Sequence, residues 1–277
     1  VVTFNGMRWL DRCLGCVRAS DAPADVFVFD NASSDGTPAY IREHFPEAIL
    51  VENDSNLGFA GGNNAGFRYA IEHSYDFVYL LNQDAWFFPE TLGQLQQISI
   101  RHPEFGILSP CQMQADGESY NPVFSRDVLS RVRSADPEMH LGEVPFMMAA
   151  HWFMTADCLR RVGLFADIFP IYGNDDNYCH RVLHHGLKIG LVDSMKVIHD
   201  KQYSPQSLDY RMYRNFYMSA LVKLCDVRVP LALCIPEVVL LGLVKLVKYR
   251  SSKVLKYLKA ALGKDMPEVR RIRRETR

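Results

Sequence analysis

Phe77-Val78-Tyr79-Leu80-Leu81-Asn82-Gln83-Asp84, residues 77–84, decides the reading of this chain. Five apolar residues form a buried strand, and an amide and a carboxylate follow at its C-terminal end. In a parallel α/β sheet, ligands bind at that end. Side chains at i and i+2 of an extended segment point the same way. Asn82 and Asp84 are therefore expected to reach one hard, oxygen-seeking cation of the kind shared with substrate phosphates.

Working outward, the first hundred residues alternate strand and helix signals. Residues 1–4, 26–29 and 48–51 read as strands. Residues 7–18, 62–73 and 89–100 read as helices, and Thr37-Pro38 starts another. Strand-helix alternation predicts an α/β fold with a mostly parallel sheet flanked by helices. Beyond residue 105 the pattern weakens, and 116–142 reads as a polar, variable loop region with possible hairpins. Helices are expected at 155–162, 176–185 and 207–224, and strands at 189–192 and 195–198. Two amphipathic helices follow, at about 231–248 and 252–262. The predicted division is a catalytic domain over 1–225, with halves 1–104 and 105–225, and a helical extension over 226–277.

The composition, 48% hydrophobic and 23% charged over 277 residues, supports a sizeable core and excludes global disorder. The net charge of -1 conceals a division: residues 245–277 hold 12 Lys and Arg against 3 Asp and Glu. A basic amphipathic tail on an acidic body points to an anionic surface, with a membrane face, a helix packed on the domain and an acidic protein as alternatives. Nucleic acid is not an expected partner. Seven scattered cysteines suit a reducing compartment rather than a disulfide framework. Cys13 and Cys16 have CxxC spacing but lie in a predicted helix, where packing is the default. No signal peptide is visible, and the chain opens in an apolar strand without Met. Val229 to Val247 contains Pro230, Pro236, Glu237 and Lys245, and its uncharged stretches fall short of the ~20 residues a spanning helix needs.

Polar residues end each strand of the N-terminal half: Thr3 and Asn5, Asp30 and Asn31, Asn56, then Asn82 and Asp84. In a parallel sheet these tips converge on one edge. Asp30 can accept from a base or a ribose hydroxyl, or simply start a turn. The run Asn56-Leu57-Gly58-Phe59-Ala60-Gly61-Gly62-Asn63-Asn64 opens a helix, where exposed N–H groups attract phosphate. It matches neither a dinucleotide fingerprint nor a P-loop. Asn174-Asp175-Asp176-Asn177 precedes another helix, and its two carboxylates exceed what capping requires. Asp175 is preferred over Asp176 as a proton acceptor. His199 ends an apolar strand and can ligate a metal. His151 and Trp152 are candidates to line an acceptor pocket, or to pack in the core.

Together these segments resemble the inverting family 2 glycosyltransferases with a GT-A fold, nearest the bacterial rhamnosyltransferase and galactofuranosyltransferase branch. The likeness spans roughly residues 1 to 205. Val2-Thr3-Phe4-Asn5 is similar to the family's first strand, and Asp30 to Thr37 to its D-N-x-S-x-D-G-T segment. Asn56 to Asn64 is similar to its N-x-G-f-a-x-g-x-N stretch. Leu81-Asn82-Gln83-Asp84 looks like the L-N-x-D variant of its D-x-D motif. Gly163-Leu164-Phe165 and Tyr172 to Arg181 look like its late acidic block. Asn82, Asn174, Asn177 and Ala166 depart from the commoner family residues.

The resemblance implies a sugar moved from a nucleoside-diphosphate donor, dTDP-rhamnose-like or a UDP-sugar, to a hydroxyl of a glycan or lipid-linked glycan. It implies Asp175 as base, and Asp84 and His199 as ligands of Mg²⁺ or Mn²⁺. Thr3, Asn5, Asp30, Asn31, Asn56, Gly58, Gly61, Asn64 and Asn82 would hold the donor. His151, Trp152, Asn174, Asp176 and Arg181 would face the acceptor. The setting is cytoplasmic, with the inner membrane face as a peripheral site. The alternatives are an inactive nucleotide-sugar-binding scaffold and a sugar-nucleotide pyrophosphorylase.

Overall fold

The computed structural model describes residues 1–202 and 207–276. The N-terminal half alternates as predicted: β1 (Val2–Thr3), α1 (Leu10–Arg18), β2 (Phe27–Asp30), α2 (Thr37–His44), β3 (Ile49–Glu52), α3 (Gly58–Glu72) and β4 (Phe77–Leu81). A two-residue β5 (Ala85–Trp86) and α4 (Thr91–Arg101) follow. β1, β2 and β3 pair in parallel with β2 central. A parallel bridge from Val2 to Asn82 joins this sheet to the end of β4. α3 lies close on the sheet because Gly62 has no side chain: a Cβ there would stand 2.7 Å from Val2 Cγ1 and 3.2 Å from Phe29 Cδ1. The glycine row at this point packs a helix on a sheet.

The second half contains β6 (Phe105–Met113), α5 (Pro122–Asp127), β7 (Arg133–Asp136), β8 (Leu141–Glu143), β9 (His151–Thr155), α6 (Ala156–Val162), α7 (Asn174–His184) and β10 (Lys188–His199). Its strand order is β4-β9-β6-β10-β8-β7, with β5 also on β10. β9 enters antiparallel between β4 and β6, so parallel pairing dominates only the N-terminal half. His151 to Met154 are buried, which marks β9 as a strand covered on both faces. The two late strands expected at 189–192 and 195–198 are one strand, β10, with a register shift between Val192 and Lys196. The polar region 116–142, read from sequence as a variable loop with possible hairpins, carries α5 and most of the β7–β8 hairpin.

The C-terminal region is helical. α8 (Leu208–Met212), a π-helical turn (Tyr213–Met218) and α9 (Ser219–Cys225) follow without a break, matching the helix predicted at 207–224. α10 (Leu231–Tyr249) and α11 (Lys253–Leu262) also match, and α12 (Met266–Glu275) was not foreseen. These helices share a core that includes Phe169, Phe216, Leu221, Leu224, Val238, Val254 and Val269. Arg273 donates to the carbonyls of Leu224, Asp226 and Val229 at 2.9, 2.5 and 2.6 Å, satisfying the C-terminal end of α9. This core draws on both sides of residue 225 and takes in Phe169 from the segment before α7.

Candidate active site

Asp84 and His199 meet because β5 pairs with the end of β10. Ala85 stands opposite His199, and the Asp200 N–H donates to the Asp84 carbonyl at 2.8 Å. Asp84 Oδ1 lies 3.5 Å from His199 Nε2. Residues 82–84 are not extended, as the sequence pattern suggested. The Ala85 N–H donates to the Asn82 carbonyl at 3.1 Å, closing a tight turn that swings Asp84 toward β10. Gln83 fastens this turn to the end of β1, accepting from the Phe4 N–H at 2.8 Å and donating to the Phe4 carbonyl at 3.3 Å. Asp200 is held in turn by the Trp9 indole N–H at 2.9 Å and by Arg8 at 3.6 Å.

These residues fit a divalent cation. His199 is buried, and its Nδ1 has no hydrogen-bond partner among the described residues. One carboxylate and one imidazole suit Mg²⁺ or Mn²⁺, provided substrate oxygens and water fill the other positions. No group of three His, Cys, Asp or Glu side chains gathers as a ligand set among the described residues. Asp84 and His199 are the pair that the fold brings together for such an ion.

Asp175 lies in the first turn of α7. Gly173 leads in with φ +84°, and a Cβ there would meet Val222 and Phe169 at 2.8 and 2.9 Å. Only glycine makes this turn without strain. The Asp175 carboxylate accepts from the Asp176 N–H at 3.1 Å and from the Ala149 N–H. Burial raises its pKa, against the pull of these N–H groups and of the Lys201 charge. Asp176 is pushed up to about 7 by burial and by the charges of Asp175 and Asp127. A carboxylate pair that resists full ionisation is suited to proton transfer near neutral pH.

Lys201, two residues after His199 and part-buried, was missed by sequence reasoning. Burial and Arg214 lower its pKa, while Asp175 and Asp84 raise it, so its ammonium feels both carboxylates at once. Arg214, in the π-helical turn, stacks over Tyr172 at 4.7 Å. The sequence signal for Lys201 was adjacency to His199, which is weak because Lys is common on surfaces. A cavity of about 240 Å³ opens here, lined by Gln114, Ala115, Asp116, Asn121 and residues 199–202. Part of the polar 114–121 segment thus walls a cavity beside His199 and Lys201. A second cavity, about 390 Å³, lies between Val26–Phe27, α3 and β4 and holds none of the predicted site residues.

Several predicted contacts are turned inward. The α3 N-terminus does not present free N–H groups: Gly58 donates to Asn56 Oδ1 at 2.8 Å, and Phe59 and Ala60 donate to the Pro170 carbonyl at 3.0 and 3.4 Å. A Cβ on Gly58 would stand 2.6 Å from that carbonyl, and one on Gly61 would strike Leu57 Cβ at 2.5 Å. Both glycines serve packing. Asn31 donates to the Gly58 carbonyl and accepts from the Leu57 N–H, both at 3.1 Å. Asn64 spends its whole amide on the Phe165 backbone, at 2.8 and 3.0 Å.

Asp30 accepts from Thr3 Oγ1 at 2.9 Å, from Ser33 Oγ at 2.6 Å and from the Ser33 N–H at 2.8 Å, and both Asp30 and Thr3 are buried. Its carboxylate ties β1 and β2 to the loop after β2. Asn5, at φ +50°, is exposed on that edge and accepts from the Ser34 N–H at 2.9 Å.

His151 and Trp152 do not line a pocket; both are fully buried. His151 bonds Tyr79 Oη at 2.8 Å and the Ile198 carbonyl at 2.9 Å, and burial drives its pKa down to about 3. Trp152 packs among Phe165 and Tyr178. Buried Arg181 donates to the carbonyls of Val162 and Leu164, closing the end of α6. Asn174 differs: it is 3% exposed, yet neither amide atom has a partner among the described residues. Hydrogen-bonding capacity is therefore left unspent beside Asp175.

The family model for glycosyl transferase family 2 matches residues 1–158. The chain belongs to that family. An undecaprenyl-phosphate mannosyltransferase of Micrococcus luteus is 28% identical over 193 residues, 68% of this chain and 78% of the relative. An N-acetylglucosaminyl-diphospho-decaprenol L-rhamnosyltransferase of Mycobacterium tuberculosis is 26% identical over 236 residues, 73% and 75% of the two chains. The mannosyltransferase PcManGT of Pyrobaculum calidifontis, solved with GDP-Man and Mn²⁺, superposes with a TM-score of 0.59 at 19% identity, covering 96% of this chain and 73% of that one. A family 2 glycosyltransferase with a GT-A fold is therefore established. The family match covers β1 to β9 and part of α6, whereas Asp175 and His199 lie beyond it.

Proposed function

We propose that this family 2 glycosyltransferase inverts the anomeric centre in a single displacement, with Asp175 as base. The donor is a nucleoside-diphosphate sugar, and the acceptor is a hydroxyl of a lipid-linked glycan. The observation that carries this reading is the Asp84–His199 pair, 3.5 Å apart where β5 meets the end of β10. The names of two relatives, for undecaprenyl phosphate and for a diphospho-decaprenol, support a polyprenyl-linked acceptor.

Asp84 and His199 would hold Mg²⁺ or Mn²⁺, with Asn82 nearby. Such an ion offsets charge growing on a departing diphosphate. Lys201 adds a fixed positive charge in the same region, where a dry site strengthens it. Asp175 accepts the proton of the attacking hydroxyl, and the Asp176 and Ala149 N–H groups hold its carboxylate in place. Asn174 offers its unpaired amide to the acceptor.

The test combines stability and product analysis. UDP-, dTDP- and GDP-sugars are screened by thermal shift with and without Mn²⁺. Asp84→Ala and His199→Ala should abolish the Mn²⁺-dependent part of any stabilisation, because ligand stabilisation follows mass action. Asp175→Asn should keep that stabilisation and lose about 10²–10⁴-fold in transfer rate. Retained anomeric configuration in the product, or a wild-type rate from Asp175→Asn, would defeat the reading.

A further inference from the structure

α10 leaves an apolar stripe in solvent. Leu233, Leu240, Leu243, Val244 and Val247 are 58, 62, 51, 54 and 76% exposed. Their spacing places them on one helical face, opposite Cys234, Val238 and Gly242, which face the core. Leu255 on α11, 47% exposed, adds to the same pair of helices. The pair is held close because Gly242 lies against Leu258, where a Cβ would stand 3.0 Å away. Exposed single leucines are ordinary, but an aligned row of five marks an interaction surface.

The charges around this row that lack an opposite partner are basic. Lys248, Arg250, Lys256 and Lys259 are exposed, and none has an acidic partner among the described residues. Glu237, the one acidic residue of α10, is already paired with Lys223. A second copy would bring like charges together across the interface. A sheet of anionic headgroups above a hydrocarbon layer complements both features.

We propose that α10 and α11 dock this enzyme on an anionic bilayer, with the face from Leu240 to Val247 entering the headgroup–acyl boundary and the Lys and Arg side chains meeting lipid phosphates. No helix among the described residues is long and apolar enough to cross a membrane, so the helix lies in the surface plane. The docking helices are joined rigidly to the site. Gly242 packs against Phe216 in the π-helical turn, and the same turn places Arg214 over Tyr172, three residues before Asp175. Docking thus orients the acceptor side of the site relative to the bilayer, and the inference does not depend on which sugar is transferred.

The experiment is flotation of the full chain with vesicles of phosphatidylcholine alone, or mixed with phosphatidylglycerol, at low and high salt. Wild type should float with the anionic vesicles and much less with the neutral ones. Leu243→Gln with Val247→Gln should weaken that binding about tenfold or more at either salt, since each loses buried apolar surface. Lys248→Glu with Lys256→Glu should remove the preference for phosphatidylglycerol and its salt sensitivity. All substituted positions are exposed, and an unchanged unfolding temperature confirms intact folding. Wild type that stays unbound would overturn the proposal, as would full binding by the Gln pair. So would a vesicle-free dimer that the Gln pair dissolves.

Discussion

Replacing Asn64 by alanine separates a structural role from a ligand role in one measurement. Asn64 is 2% exposed, and its amide makes two hydrogen bonds to the Phe165 backbone, 101 residues away in sequence. Those bonds fasten α3 to the segment that continues through Pro170 and Gly173 to Asp175. Alanine strands a buried N–H and a buried C=O. Each orphan costs about 1–3 kcal/mol, and the vacated space adds a smaller cavity penalty. The working figure is about 3 kcal/mol, against a total stability of about 5–15 kcal/mol. The variant should fold, with Tm lowered by roughly 6–12 °C. Urea unfolding followed by tryptophan fluorescence is the assay, because Trp152 stacks 6.0 Å from Phe165 and reports this core. Asn64→Asp should fall between, keeping an acceptor for the Phe165 N–H but losing the donor to its carbonyl. If Asn64 instead holds the donor sugar nucleotide, alanine would raise KM for the donor and change stability by less than about 0.5 kcal/mol. That result would refute the packing argument.

Two further outcomes concern the charges of the site. Asp176, with a folded pKa of about 7 against about 4 unfolded, keeps its proton longer in the folded state. Its contribution is therefore fully present below pH ~4 and is lost as pH rises through ~7. Wild type should lose about 2 kcal/mol over that window, less than the full shift implies because the side chain is partly exposed. Asp176→Asn should flatten the curve in denaturant titrations at pH 5 and 8; an unchanged slope would show that Asp176 ionises freely. Lys201→Met removes the charge that favours the Asp175 carboxylate, so the acidic limb of the pH–rate profile should move to higher pH, while Lys201→Arg restores it. A profile identical to wild type in Lys201→Met would place Lys201 outside the site.

The local grammar of the chain was enough for its elements. Apolar strands 26–29 and 77–81, the Pro38 helix start and the 3.6-residue pattern of 231–248 are short-range signals, and the folded elements match them. The motif segments in family order also pointed to the family that the family model matches. What the sequence could not show is which polar side chains look outward. Asn31, Asn64, Asp30 and Arg181 belong to segments that resemble a binding site, yet each spends its polar atoms on backbone or loop partners nearby or up to 101 residues away. A buried polar group must find such a partner, and only the folded chain decides whether that partner is protein or ligand. The same holds for Lys201 and Asp175, distant in sequence and joined by an electrostatic field that exists only after β10 and α7 have packed. Strand and helix follow from neighbours along the chain; the site follows from neighbours across it, which tertiary packing alone selects.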